Sequence, residues 1–154
     1  MDKIFALIGG RLIDGTGSEP VNDSVIKIKN GLVEEVGNKA NLKIDPKVES
    51  IDISNMTVLP GLIDCHVHLS TAYDPADSNV MTSILMTPPP LAALWGLKNA
   101  NLCLEAGFTT IRDLGGFFNW DNIEIISLRR AIEMDLVQGP RILAGGVMAQ
   151  TASH

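Results

Sequence analysis

Hydrophobic and polar residues follow two different rhythms along the chain, and the change falls near residue 58. Before it, short runs alternate with the period of a strand. In "SVIKIKNGLVEEVG", Val25, Ile26 and Ile28 flank Lys27 and Lys29, Asn30–Gly31 is a strong hairpin signal, and Leu32, Val33 and Val36 resume the apolar pattern. "IFALIGGRLID" is strand-like, broken at Gly9–Gly10 and followed by the turn-rich "DGTGSEP". "VESIDISNMTVLP" carries Val48, Ile51 and Ile53, the pattern of a half-buried strand. Residues 1–57 thus predict a thin all-β layer of several short strands.

From residue 58 the runs lengthen. "VLPGLID" is apolar almost throughout, which predicts a strand over 58–68 buried on both faces. A polar, irregular stretch over 70–90 ends in "TPPP". "LAALWGLKNANLCLEAG" predicts a helix with Leu91, Leu94 and Trp95 on its buried face, extended by Leu97 or the stem of Lys98 and then Leu102, and capped by Gly107. "FTTIRDLGG" reads as a second strand. "WDNIEIISLRRAIEMD" reads as a second helix, with Asp121 and Glu124 spaced as a capping box. "GPRILAGG" reads as a third strand. Strand, helix, strand, helix, strand implies βαβ units on a parallel sheet, hence an α/β fold class for residues 58–154. There is no short-period repeat and no low-complexity tract.

Composition narrows the function classes. The chain has 154 residues, 45% hydrophobic and 19% charged, as a globular protein does. Its formal net charge of −6 argues against nucleic acid or an anionic membrane as partner, since both need a basic surface. The two cysteines, Cys65 and Cys103, form no C-x-x-C pair and read as reduced. The N-terminal apolar stretch reads as too short for a signal segment and too polar to span a membrane. These features together point to the cytoplasm.

The candidate chemistry lies at the end of the first apolar strand. Two of the three histidines stand one residue apart, in "LPGLIDCHVHLS". Residues i and i+2 of a strand share a side, so Asp64, His66 and His68 would converge at its C-terminal end while Cys65 and Val67 point into packing. Open α/β sheets and barrels carry their sites at that end. Imidazole is a common ligand for zinc and other divalent first-row metals, and two on one rigid strand preorganise half a site. Asp64 could orient a ligand histidine through its other N–H or cap the adjacent loop. Arg112 and Asp113, closing the second strand, could meet substrate or form a salt bridge that positions the loop. The spaced glycines of "GGRLIDGTG" do not make a dinucleotide fingerprint, and no nucleophile elbow or phosphate-binding loop is present.

"VLPGLIDCHVHL" resembles the signature of the metal-dependent amidohydrolase superfamily: Pro-Gly, two apolar residues, Asp, then His-x-His. "LIGGRLIDGTG" and "KNGLVEEVG" resemble the hairpins of that superfamily's small N-terminal domain. "EAGFTTIRDLGG" and "GPRILAGG" resemble the second and third barrel strands of its prolidase-like and imidazolonepropionase-like branch. The resemblance implies an incomplete (β/α)8 TIM barrel, about its first three βα units in residues 58–154, preceded by part of a small β-sandwich domain in residues 1–57. It implies one or two divalent metal ions, zinc foremost, held in part by His66 and His68. Asp64, Arg112 and His154 are then candidates for contacts to the ligands or the substrate. The family's general base lies beyond these residues.

The implied activity is hydrolysis of an amide or other C–N bond in a small peptide-like, dipeptide-like or cyclic amide substrate, by metal-activated water. Three strands of an eight-stranded barrel leave an open edge, so the chain is expected to be inactive alone and to need the rest of the barrel or self-association. Two alternatives share the same features: a non-catalytic segment or interaction module, and a deaminase of the same superfamily.

Overall fold

The computed structural model describes residues 3–71, 76, 79, 82, 85–115 and 122–146. The chain divides into two compact units, Met1–Pro60 and Gly61–His154.

The first unit holds β1 (Ile4–Ile8), β2 (Arg11–Leu12), β3 (Ser24–Lys29), β4 (Leu32–Asn38), β5 (Glu49–Asp52) and β6 (Thr57–Val58). A four-stranded sheet has the order β4-β3-β1-β5, and β2 pairs with β6 in a second, two-stranded sheet. The Asn30–Gly31 signal is the β3–β4 turn, with φ of 52° and 80° at its two residues. Positive φ at both central positions is the hairpin turn whose twist matches its strands, and Asn-Gly tolerates it best. Ala6, Val25, Ile26 and Ile53 are buried. Leu32, Val33 and Val36 on β4 are exposed, and the two valines line an open apolar hollow of about 400 Å³ with Ile26, Ile28 and Val58. The half-buried strand expected around Ile51 is exposed along its whole length. β5 is an edge of the described sheet, paired there with β1, and the buried Ile53 lies just past its end.

The second unit runs β7 (Leu62–Val67), α1 (Pro89–Glu105), β8 (Phe108–Asp113), α2 (Ile123–Glu133) and β9 (Arg141–Ala144). The three strands form a parallel sheet in the order β7-β8-β9. Leu69, Ala100, Ile111, Ile125, Leu128 and Ile142 make its core.

The structure corrects several local expectations. The single strand expected over 58–68 is two: Val58 pairs with Leu12 in β6, and β7 begins after Pro60, which has no N–H to donate. β7 is not buried on both faces. It is an edge of the described sheet, and Leu62 and Ile63 are exposed. α1 starts earlier than expected, with proline in its first turn, where the missing N–H costs nothing. Its buried face is Ala92, Gly96 and Ala100, whereas Leu91, Leu94 and Leu102 are exposed. Small residues let the two helices close up: a Cβ on Gly96 would sit 2.6 Å from Cδ1 of Ile125. Gly107 follows the C-cap as expected, donating to the Leu104 carbonyl. α2 is capped by Asn122, in the left-handed region and without a side-chain cap bond, so Glu124 stands one place too early for a capping box. Asp121 and His154 lie outside the described residues, as does part of the stretch read as irregular.

Candidate metal centre

The C-terminal ends of β7, β8 and β9 carry the polar groups. On β7 the ladder to β8 breaks: Asp64 pairs with Ile111 and Val67 with Asp113, so Cys65 and His66 together oppose Arg112 alone. This is a bulge, which re-aims side chains and leaves ladder groups unpaired. Two side chains take up those groups. The Asp64 carboxylate accepts the His66 backbone N–H at 2.9 Å, and Arg112 Nε donates to the Cys65 carbonyl at 2.8 Å. Asp64 therefore holds the histidine backbone and not its ring, and Arg112 binds a carbonyl in place of the expected salt bridge. Cys65 is exposed, not packed inward, while Val67 packs against the core. Burial first, and then the charge of Asp64, push the Cys103 thiol on α1 above its ordinary value.

The bulge leaves both imidazoles together. The His66 and His68 rings lie edge to face with centroids 5.3 Å apart. His68 Nδ1 lies 2.5 Å from the Gly115 carbonyl oxygen. A carbonyl only accepts, so Nδ1 carries the proton and, in the neutral ring, Nε2 carries the lone pair. That division of roles is common among metal-ligating histidines.

Beneath His68 lies a polar centre that the sequence did not signal. Asp113 has no exposed surface. Its carboxylate accepts the Leu69 N–H at 2.7 Å, the Gly115 N–H at 2.8 Å and Asn122 Nδ2 at 3.0 Å. Asn122 Nδ2 also donates to the Gly145 carbonyl at 3.0 Å. The loops after all three strands are thereby tied to one acid. Asn99 of α1 fixes the loop after β7 from its other side, donating to the carbonyls of Leu69 and Thr71. An acid ending a β-branched strand before two glycines was the only visible hint of Asp113. Nothing in the pattern marked Asn122 or Asn99.

The donor chemistry suits a divalent ion, with two imidazoles on braced backbone and one tautomer fixed. Among the described residues no group of three or more His, Cys, Asp or Glu converges. A catalytic zinc takes three protein ligands, so His66 and His68 fit it as part of a set.

A parallel α/β sheet with paired histidines at its carboxyl end defines the class, and comparison with known proteins defines the family. The sequence profile of the Amidohydrolase family matches residues 57–153, and the chain belongs to that family. Ochratoxinase from Aspergillus niger is 31% identical over 157 residues, covering 99% of this chain and 30% of that protein. The crystal structure of a Xaa-Pro dipeptidase with bound methionine in the active site matches with a TM-score of 0.75 and 28% identity, over 94% of this chain and 33% of that one. A prolidase complexed with N-methylphosphonate-L-proline matches with a TM-score of 0.74 and 32% identity, over 93% of this chain and 32% of that one. The chain thus spans about a third of the length of these relatives. Relatives in the family are hydrolases acting on C–N bonds, and members of the superfamily are generally metal-dependent. No helix among the described residues is long and apolar enough to cross a membrane.

Proposed function

We propose that the chain supplies the first histidine pair of a metal-dependent hydrolase that cleaves an amide or related C–N bond with water. Its second unit is the start of a (β/α)8 barrel, and its first is part of a small β-sandwich. The observation that supports this reading is the His68 Nδ1 bond to the Gly115 carbonyl beside the His66 ring, which, with Nδ1 as the donor, leaves the ring's lone pair on Nε2. Held by His66 and His68, a divalent ion, zinc foremost, would supply the Lewis acidity for polarising a carbonyl and activating water. The chain's own residues do the holding. His66 and His68 are the ligands, Asp64 and Arg112 fix the bulge that presents them, and Asp113 holds the loops behind them. The relatives that are a Xaa-Pro dipeptidase and a prolidase support a peptide-like substrate. Two imidazoles hold zinc weakly, so this chain by itself is not expected to turn substrate over.

The test is equilibrium zinc competition against a chromogenic chelator, with the chain and with His66→Ala and His68→Ala. Each variant should lose on the order of 100-fold in affinity or more, beyond what partners of ligands usually cost. Variants that bind zinc as the unaltered chain does would sink the reading.

A further inference from the structure

Asp113 is fully buried and spends its carboxylate on three donors from three separate places: the backbone after β7, the backbone after β8, and the side chain that precedes α2. Two of these donors flank His68. Leu69 is its chain neighbour, and Gly115 is the residue whose carbonyl meets its Nδ1. The Gly115 N–H and C=O are thus both engaged, one by Asp113 and one by His68. The N–H lies in the peptide that joins Leu114 to Gly115 and the carbonyl in the next one, with the Gly115 Cα, at φ 97°, between them. The Asp113 carboxylate therefore anchors the Cα from which that carbonyl extends, and its bond to the Leu69 N–H anchors the backbone beside His68.

From this geometry we infer that Asp113, with Asn122 behind it, is a positioning residue for His68. It ties the backbone beside His68 to Gly115, so that the Gly115 carbonyl stays within reach of Nδ1, selects the Nδ1–H tautomer and fixes the ring's rotation. Asp113 touches neither ring and is not a ligand. It acts through the backbone of Leu69 and Gly115, as an outer partner once removed. Asn122 completes the arrangement, since its Nδ2 bridges Asp113 and the Gly145 carbonyl and so keeps the acid from turning. A merely structural role would require only that the three loops stay together. The positioning role requires in addition that the protonation pattern of one imidazole depend on an acid it does not touch. The inference rests on the metal-ligand reading only for its consequence for affinity, because the tautomer exists without any ion.

The first experiment therefore uses the metal-free chain. Ring 15N–1H spectra of the labelled chain, assigned with His68→Gln, report which nitrogen of His68 carries the proton. The expected result is Nδ1–H at His68 in the unaltered chain. A His68 protonated on Nε2 instead overturns the inference before any variant is made. In Asp113→Asn, which keeps size but offers one acceptor atom in place of two, His68 should become a mixture of tautomers with its proton exchanging quickly. Asn122→Gly, which keeps the positive φ of its position and removes only the bridge, should shift His68 the same way by less. A folded Asp113→Asn with His68 unchanged overturns the inference. Should Asp113→Asn fail to fold, an unchanged His68 in Asn122→Gly does so equally. Zinc competition on the same variants should show a loss of about 10-fold to 100-fold. If the unaltered chain binds no more zinc than the histidine variants while the tautomer result stands, the function reading falls and the positioning does not.

Discussion

Two aspartates in the first unit and one in the second show how differently the two halves use the same side chain. Asp14 and Asp52 lie on the surface and bond to residues two places on, Asp14 to the N–H and hydroxyl of Thr16 and Asp52 to those of Ser54. Asp113 is buried, and its bond to Leu69 closes a separation of 44 residues. The first unit's ion pairs are likewise near neighbours across a hairpin, Lys27 with Glu34 at 2.8 Å, both partly exposed. In the first unit polar chemistry shapes turns. In the second, beside the local Asp64 bond to His66, it is also stitched through the interior, where each unmet group is costly and each met one fixes geometry.

The largest expected effect tests that contrast directly. Asp113→Ala strands the Leu69 and Gly115 N–H groups and the Asn122 amide inside the second unit. A buried donor without a partner costs about 1–3 kcal/mol, so the variant should lose about 3 kcal/mol or more. Lys27→Ala, which breaks a surface pair, should cost under about 1 kcal/mol. Urea titrations followed by signals assigned to each unit make the comparison. Equal losses in the two variants would mean that the buried network contributes no more than an exposed pair.

How much of this was legible in advance follows the same division. The β3–β4 hairpin is readable because Asn30–Gly31 is a local instruction. The order of strands and helices in the second unit is readable because each element's period is local too. The histidine pair is visible as a spacing. Its bulge is not, because the bulge is a relation between Asp64–Val67 and Ile111–Asp113 and exists only once β7 and β8 are paired. Asp64 and Arg112 stand near the histidines as the pattern suggests, yet with other partners than expected, for the same reason. The inverted burial of α1 has another cause. Size points to the leucines as core, whereas the spacing that matters is that of Ala92, Gly96 and Ala100, whose smallness is an advantage only once α2 is known to lie against them.

A medium effect is expected at the glycine that opens the second unit. The "PGLID" motif needs Gly61 for a physical reason. A Cβ there would stand 2.6 Å from the Cβ of Thr109, where the β7–β8 register also shifts. That contact involves the stem of the Thr109 side chain, which cannot swing away. Gly61→Ala should therefore cost about 1–3 kcal/mol as overpacking, and Thr109→Ser, by thinning the obstacle, should recover part of it. Gly17 is the contrasting case in the first unit. A Cβ added there would meet nothing within 4 Å, but its φ is 85°, so any cost is conformational and no partner change can rescue it. The discriminating measurement is the double-mutant cycle. Additive losses for Gly61→Ala and Thr109→Ser would show that the two residues do not meet.

The smallest effect concerns acid and the two surface aspartates of the first unit. The hydrogen bonds from the Thr16 backbone and then its hydroxyl hold the Asp14 carboxyl below its ordinary value of 3.8. The Ser54 hydroxyl and then its backbone N–H do the same for Asp52. A carboxyl whose folded pKa is depressed binds fewer protons folded than unfolded, so its contribution is whole above pH 3.8 and is lost as the pH falls from there through the folded pKa. Both groups are fully exposed, so the contribution is a small one. Replacing both by Asn keeps a turn-forming side chain but removes the titration. The stability of the first unit, followed by its own amide signals between about pH 5 and pH 2, should then fall less steeply in the Asp14→Asn, Asp52→Asn chain than in the unaltered one, and the second unit's curve should be the same in both. Parallel curves for the first unit would mean that its turns hold without their charge.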